Sequence, residues 1–248
     1  MRKVIVLTAL SVFLTGSLLS AQSAVDGDVK LFQGFFKDAT VTSSFILDPG
    51  LNYQTNDYAS IFDLGARGGF RLFNNFEMNF GLNFRTLSPD QGDSETGLSD
   101  IWLGGRYQFR NLFSAKTAFS VGGYITLPTG SEEIGQDLTH IGGFVAFRHA
   151  INKGFTLTGS TGIDFLDNGN DHDASLYLSV GSIFPVNPRL SIVPELAMMT
   201  DPDYMLLTGA LDYKLRSKIR LRGGLGVGLD DGIFWINIKK RSKKKLVW

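Results

Sequence analysis

FEMNFGLNFR, residues 76–85, alternates strictly between two kinds of side chain. Its even-numbered positions are all apolar, and its odd-numbered positions carry charged residues, asparagines and a glycine. Successive side chains of a β-strand point to opposite faces, whereas a helix repeats about every 3.6 residues. The stretch is therefore predicted to form a strand with one apolar and one polar face.

The same alternation recurs along most of the chain, usually in segments of 11 to 14 residues. At about 3.3 Å per residue and a tilt near 45°, twelve residues rise about 28 Å, which is enough to cross the core of a bilayer. Evenly long, two-faced strands joined by turns are typical of a transmembrane β-barrel. The predicted strands are residues 40–55, 59–72, 76–87, 98–110, 115–128, 138–149, 155–166, 175–185, 189–200, 204–215, 219–229 and 232–240.

The connections between these segments are of two kinds, which alternate along the chain. One kind is short, as at Asn74-Asn75, and the other includes the long loops 88–97, 129–137 and 167–174. The second kind holds 14 of the 24 acidic residues and no Lys or Arg. Short turns face the periplasm in outer-membrane barrels. We therefore predict an all-β, antiparallel up-and-down barrel of about twelve strands with both termini periplasmic, with ten or fourteen strands as the alternatives.

The N-terminus has the pattern of an export signal. Two basic residues precede an apolar run from Val4 to Leu19, and small residues then precede a cleavage site after Ser23. This pattern predicts export to the cell outer membrane. The predicted organisation is a signal peptide at 1–23, a leader at 24–39, the barrel at 40–240 and a basic tail at 241–248.

The composition excludes several classes of protein. The 248 residues include no cysteine, and 24 basic residues balance 24 acidic ones. The lack of cysteine excludes a disulfide scaffold and a Cys-ligated zinc or iron–sulfur site, and the lack of basic excess disfavours a nucleic-acid partner. No phosphate-binding loop, spaced calcium loop or nucleophile motif is present, so no cofactor, metal site or enzymatic activity is predicted.

Three stretches resemble a known family. GARGGFRLFNNFEMNFGLNF at 65–84, GLSDIWLGGRYQF at 97–109 and GGYITLPTG at 122–130 are similar to outer-membrane proteins associated with the meta-pathway of phenol degradation. The resemblance covers roughly residues 59–240. It implies an outer-membrane channel or transporter, and it brings no catalytic or ligand residues with it.

If apolar residues face lipid, the charged residues of the strands face the lumen, where basic residues outnumber acidic ones by 11 to 6. Such residues either brace the wall as ion pairs or select the solute. Hairpin register predicts the pairs Arg71–Glu77, Asp212–Arg222 and His140–Asp164. The predicted lumen-lining residues are Arg67, Arg71, Glu77, Arg85, Asp100, Arg106, His140, Asp164, Glu195, Asp212 and Arg222.

Arg67 and Arg106 have no acidic residue opposite them within their own hairpins. Two guanidiniums at mid-height would make the narrowest zone positive, so a modest preference for anions or carboxylated aromatics is expected. Glu195, which is predicted at the same height, would weaken this preference.

Both ends of the mature chain depart from the strand pattern. The leader places Leu31, Phe32, Phe35 and Phe36 at helix-like spacing. Three arrangements remain open: a short helix that plugs the periplasmic mouth, the same helix on the inner leaflet, or a loosely ordered leader. The basic tail is predicted either to touch anionic lipid or to remain solvated.

The function predicted from these features is passive passage of a small solute, anionic or aromatic, through an outer-membrane channel. The expected partners are outer-membrane lipids, the outer-membrane assembly machinery and the solute. One alternative is a barrel with a structural or surface-binding role. The other is a lipid-modifying enzyme, in which His140 and Asp164 would supply a base and its orienting group.

Overall fold

The structure, a computed structural model, describes residues 29–42, 45–55, 59–110, 112–132, 134–135, 139–152, 154–167, 172–200, 203–216, 219–229 and 234–244. The predicted signal peptide lies outside these residues. Among the residues that the structure describes, no helix is long and apolar enough to span a membrane.

Thirteen strands form one antiparallel sheet in the described residues. The strands are β1 (Phe45–Thr55), β2 (Ala59–Phe73), β3 (Phe76–Pro89), β4 (Glu95–Leu98), β5 (Ile101–Arg110), β6 (Thr117–Leu127), β7 (His140–Asn152), β8 (Phe155–Asp167), β9 (His172–Pro185), β10 (Leu190–Thr200), β11 (Asp203–Arg216), β12 (Ile219–Gly228) and β13 (Phe234–Lys244).

The sheet closes on itself as a barrel. Consecutive strands pair along the chain, and β13 pairs with β1. The short strand β4 and the longer β5 both pair with β3, at different heights, so together they occupy one position in the wall. The barrel therefore has twelve strand positions, and the predicted fold class is confirmed.

The two faces of the wall differ as the alternation predicts. Leu82, Leu103, Val145 and Leu225 are exposed on the outside, near the middle of their strands. Inward residues of the same strands are buried, including Glu77, which is fully inaccessible to solvent. Apart from β4, every strand pairs on both sides, so this apolar outer face can contact lipid with its backbone polar groups bonded.

The first strand begins later than predicted, and the last strand both begins and ends later. β1 begins at Phe45, and residues 40–42 are buried outside any strand. β13 continues to Lys244, because Phe45, Ile46 and Leu47 of β1 supply partners for Lys244, Lys243 and Ser242. Residues 241–244, which were assigned to a basic tail, therefore belong to the barrel wall.

One predicted cross-strand pair is wrong. His140 lies opposite Leu166, and Asp164 lies opposite Gly142. The predicted pair assumes a turn centred on Asn152, whereas Asn152 pairs with Phe155, so the turn lies between these two residues and the register of the β7–β8 hairpin differs from the predicted one by two residues. The other two predicted positions are correct in register, with Arg71 opposite Glu77 and Asp212 opposite Arg222.

The two faces should respond differently to charge. We expect Leu82→Arg to lower the free energy of unfolding by about 2–4 kcal/mol, because it places a guanidinium against the hydrocarbon core. Asn83→Arg, on the inward face of the same strand, should cost much less. Urea unfolding of both variants in lipid vesicles measures the difference, and equal penalties would contradict the assignment of the faces.

Candidate functional site

Residues Val29–Thr42, called the N-terminal segment below, lie inside the barrel. They form no regular helix or strand, and the Lys37 N–H donates to the Gly34 carbonyl at 3.0 Å in a turn. Inward side chains from β3, β5, β7, β10 and β12 bond to the segment from around the wall. Its aromatic cluster is buried, with Phe35 fully inaccessible to solvent.

One carboxylate of the wall binds the first turn of the segment through its backbone. Glu195 on β10 accepts the N–H groups of Phe32, Gln33 and Gly34, the last two at 3.0 Å. Glu195 is only 3% exposed. Hydrogen bonds to an ionised acceptor are stronger than neutral ones, so this cradle offsets part of the cost of burying the charge.

Arg106 on β5 binds the next part of the segment from another side. Its Nη1 donates to the carbonyl oxygens of Phe35, Phe36 and Asp38 at 3.1, 3.3 and 3.1 Å. Its Nη2 donates to Glu77, which in turn accepts a hydrogen bond from a backbone N–H of the segment. This guanidinium therefore joins the wall to three carbonyl groups within four residues of the segment.

Two more arginines complete the attachment. Arg148 on β7 donates to the Val29 carbonyl at 3.0 Å and to the Asp38 carboxylate at 2.6 Å. Arg222 on β12 donates to the Leu31 carbonyl at 2.7 Å. Like Glu195, both bond to the backbone of the segment, and Arg148 also pairs with one of its side chains.

Small and apolar residues of the wall receive the side chains of the segment. Leu31 and Phe32 pack in one buried cluster, and Ala39 packs in another. Fully burying a side chain such as Leu or Phe contributes roughly 1.5–3 kcal/mol. The wall residues in these clusters are Ile183, Val193, Ala210, Ala118, Phe144 and Ala146.

The tip of the segment contacts a polar and aromatic group on the wall. Phe36 stacks on Trp102 with ring centroids 3.8 Å apart. The Lys37 ammonium lies 3.5 Å from the Asp164 carboxylate and 3.7 Å from the centroid of the Tyr177 ring. Asp164 therefore pairs with the segment and with the Tyr124 hydroxyl instead of with His140.

The predicted lumen arginines have acidic partners. Arg67 bonds to Asp48 at 3.0 Å, across the β1–β2 pair, and Arg106 bonds to Glu77 across β3–β5. Neither partner lies within the arginine's own hairpin, where the sequence offers no opposing acidic residue; each lies on the neighbouring strand outside that hairpin. The positive zone expected at mid-height is thereby neutralised.

The remaining predicted residues divide between bonded and exposed positions. Arg85 bonds to Asp63 at 2.7 Å, and Arg222 lies 3.6 Å from Asp212. Asp100 accepts the backbone N–H groups of a loop at 2.8 and 3.1 Å. His140 is half-buried. Arg71 is exposed, and Glu77 forms its ion pair with Arg106 instead.

Asp48 is a partner that the sequence prediction missed. It binds both Arg67 and Arg222, so it joins β2 to β12 across β1 and β13. The alternation of residues 46–54 could have predicted this position, because it places Asp48 on the same strand face as Asn52 and Gln54. Pro49 interrupts the strand pattern there and obscured this alternation.

A cavity of about 300 Å³ lies between the N-terminal segment and the wall formed by β1, β2, β3 and β5. Gln33 and Phe36 of the segment line one side, and Asn52, Arg67 and Trp102 are among the wall residues. No group of three or more potential metal ligands occurs among the described residues.

Two charged groups of the segment have displaced pKa values. Burial lowers the pKa of Lys30 well below its usual 10.5, and the nearby Arg106 adds to this effect. Burial alone would raise the pKa of Asp38, but attraction to Arg148, followed by Lys30 and Arg106, outweighs it and lowers that pKa below 3.8. Each group therefore binds its proton less tightly in the docked segment than it would in water.

Solved structures share this fold. The COG4313 outer membrane channel from Pseudomonas putida F1 has a TM-score of 0.69 and 16% identity, over 83% of this chain and 97% of that chain. A KdgM porin in complex with disordered oligogalacturonate has a TM-score of 0.58 and 10% identity, over 80% of this chain and 99% of that chain. A NanC porin has a TM-score of 0.57 and 11% identity, over 81% and 100%. At these identities the likeness shows the fold alone.

Sequence comparison adds one finding. A family model described as "Putative MetA-pathway of phenol degradation" matches residues 15–240. No curated protein matches the chain in sequence at a significant level.

Loss of the Glu195 charge should loosen the segment. In Glu195→Gln the amide cannot match the carboxylate as an acceptor for three N–H groups, and hydrogen bonds to a charged group contribute about 1.5–3 kcal/mol. Because about 1.4 kcal/mol corresponds to a factor of ten, amide hydrogen exchange in residues 32–34 should accelerate at least tenfold. Glu95→Gln, on an exposed face of β4, is the control. Equal amide exchange rates of residues 32–34 in both variants would contradict their hydrogen bonding to Glu195.

Docking of the segment should strengthen as pH rises. Between the lowered pKa of Lys30 and 10.5, the released segment binds one proton more than the docked one, and Asp38 acts in the same direction as pH falls below 3.8. A spin label at Gln33→Cys, in a chain without other cysteines, should become more mobile as pH falls. Lys30→Met should flatten the alkaline part of this profile, and mobility that increases with pH would refute the expectation.

Proposed function

The chain belongs to the family described as "Putative MetA-pathway of phenol degradation", and from this membership we propose that it is an outer-membrane channel for passive passage of a small solute. The family resemblance noted in the sequence is thereby confirmed. In the proposed channel, the N-terminal segment closes the lumen and its release opens the path.

The observation that carries this proposal is that charged side chains of the wall bond to the backbone of a segment that is not part of the wall. Charged side chains from four strands of the barrel wall bond to the backbone of the N-terminal segment. They are Glu195, Arg106, Arg148 and Arg222. The strand pairing that closes the barrel does not include the segment. The segment can therefore leave without breaking the wall, and the exposed charges would then line a water-filled lumen.

The proposal includes the location of the protein and its contacts. We infer export by the signal peptide at 1–23 and insertion in the outer membrane, with the short turns and both termini periplasmic and the acidic loops outside. The apolar outer face supports contact with outer-membrane lipids, and insertion would use the outer-membrane assembly machinery. A small solute is the third expected partner.

A barrel without transport activity is the second candidate function. The occupied lumen favours it, since the N-terminal segment lies inside the barrel with Phe35 fully buried. An enzymatic function has less support, because the register separates His140 from Asp164, the groups considered as base and orienting residue. Conductance distinguishes the first two functions.

Removal of the segment should open the channel. We expect deletion of residues 24–37 to raise the single-channel conductance in planar bilayers several-fold over the full mature chain, because it removes most of the segment that occupies the lumen. Retained heat-modifiable electrophoretic mobility and strand content by circular dichroism confirm folding. An unchanged conductance in a folded variant would favour the non-transporting barrel.

A reversible lock provides the matched control. Gln33 Nε2 donates to Thr208 Oγ1 at 3.4 Å, so the shorter side chains of a Gln33→Cys, Thr208→Cys variant should be within reach of a short reducible bis-methanethiosulfonate cross-linker between segment and wall. The cross-linked form should remain closed and the reduced form should behave like the native chain. Equal opening of both forms would show that current flows without movement of the segment.

A further inference from the structure

We propose that the lumen contains a binding site for the ammonium group of a small organic cation, and that Lys37 of the N-terminal segment occupies this site while the segment is docked. This inference rests on the proposed channel function, because it assigns a class of solute to the same lumen. The site consists of the Asp164 carboxylate and the rings of Tyr124 and Tyr177, called the ammonium cage below.

The position of Lys37 shows what the ammonium cage can bind. Its Nζ atom lies 3.5 Å from Asp164 Oδ2, 3.7 Å from the centroid of the Tyr177 ring and 5.0 Å from that of the Tyr124 ring. An aromatic face attracts a cation within about 6 Å of the ring centroid, and a carboxylate adds a full opposite charge. A carboxylate and two aromatic rings around one cation are the groups that recognise an ammonium ion.

The ammonium cage belongs to the wall of the barrel. Tyr124 lies on β6, Asp164 on β8 and Tyr177 on β9. The Tyr124 hydroxyl donates to Asp164 Oδ1, which leaves Oδ2 for the cation. This bond passes over β7 at Gly142, which lies opposite both residues. A Cβ at Gly142 would lie 2.6 Å from Asp164 Oδ1 and from the Tyr124 hydroxyl oxygen, so the absence of a side chain makes room for the bond.

Release of the segment would vacate the ammonium cage without dismantling it. Among the residues that the structure describes, Lys37 is the only cation within ion-pair distance of Asp164. The bond between Tyr124 and Asp164 joins two strands and does not involve the segment. One carboxylate oxygen and two ring faces would then be directed at the lumen without a cation, and the ammonium group of a solute would take the place of Lys37.

The charge of the nearby connections favours cations. The residues of the ammonium cage lie within five positions of the strand ends on one side of the barrel. The connections 129–137, 167–174 and 201–203, which join strands at that side, contain eight acidic residues and no Lys or Arg. A negatively charged entrance raises the local concentration of cations and lowers that of anions. The entrance and the ammonium cage therefore select the same sign of charge.

A solute with an ammonium group would also act on the segment. The solute and Lys37 occupy the same position, so the binding of one excludes the other. A ligand that binds only the released state shifts the equilibrium toward that state. In the proposed channel, the cation that enters would therefore promote its own passage.

Calorimetric titration of the full mature chain tests the site with n-propylammonium, which reproduces the end of a lysine side chain. Lys37→Ala removes the tethered competitor, so it should bind n-propylammonium at least tenfold more tightly than the native chain does. n-Propanol and propionate, which have the same chain length and no positive charge, should bind to Lys37→Ala at least tenfold more weakly. Equal affinities of Lys37→Ala for the three probes, or equal affinities of the native chain and Lys37→Ala for n-propylammonium, would overturn the proposal.

Matched aspartate substitutions in the Lys37→Ala chain locate the site. Asp164→Asn removes the charge of the ammonium cage and should weaken n-propylammonium binding at least tenfold. Asp63→Asn makes the same change in a wall ion pair with Arg85, and it should leave the affinity unchanged. If Asp164→Asn does not fold, Tyr177→Leu removes one ring face and should weaken binding several-fold. Unchanged affinity in Asp164→Asn, or in Tyr177→Leu, would refute the site.

Failure of this proposal can be separated from failure of the channel function. If deletion of residues 24–37 raises conductance but Lys37→Ala does not bind n-propylammonium, the channel stands and the solute class is wrong. If Lys37→Ala binds n-propylammonium through Asp164 but the deletion does not change conductance, the ammonium cage stands and transport is wrong.

Discussion

Buried charge inside a narrow barrel is the constraint on which this structure depends. Eight strands enclose an interior that side chains can fill, and sixteen or more leave an aqueous channel. Twelve strands lie between these cases, so Glu195, Arg106, Arg148 and Arg222 are neither packed against one another nor hydrated by an open lumen. Peptide groups of the N-terminal segment bond to all four, in addition to the carboxylates that pair with the arginines.

The lumen charges serve two different purposes. Arg67 with Asp48, and Arg85 with Asp63, connect strands of the wall and need no contribution from the segment to remain paired. Glu195 and Arg148 instead hold the segment. In the proposed release of the segment, this division would preserve the shape of the wall, because neither the inter-strand hydrogen bonds nor these wall pairs involve the segment.

The strands of the barrel could be predicted well because the alternation of apolar and polar residues within each strand identifies its two faces. The alternation in residues 76–85 placed Glu77 inward and Leu82 outward, and both assignments agree with their burial. Partner assignment was less successful. The Arg67–Asp48 bond crosses β1–β2, where Pro49 obscured the pattern. The His140–Asp164 pair failed because the turn lies between Asn152 and Phe155 and is not centred on Asn152, which changes the register of the whole hairpin.

The sequence by itself determined the all-β architecture, the number of strand positions, the two faces of the wall and the family. These properties depend on local periodicity, which each strand carries whatever its neighbours are. Only the tertiary structure decided the place of the N-terminal segment and of the cavity beside it. The bond from Arg222 to Leu31 joins residues 191 positions apart, and that from Phe32 to Glu195 joins residues 163 apart. Contacts over such separations leave no periodic trace in the chain, because they arise only when the barrel closes and brings distant strands around the same space.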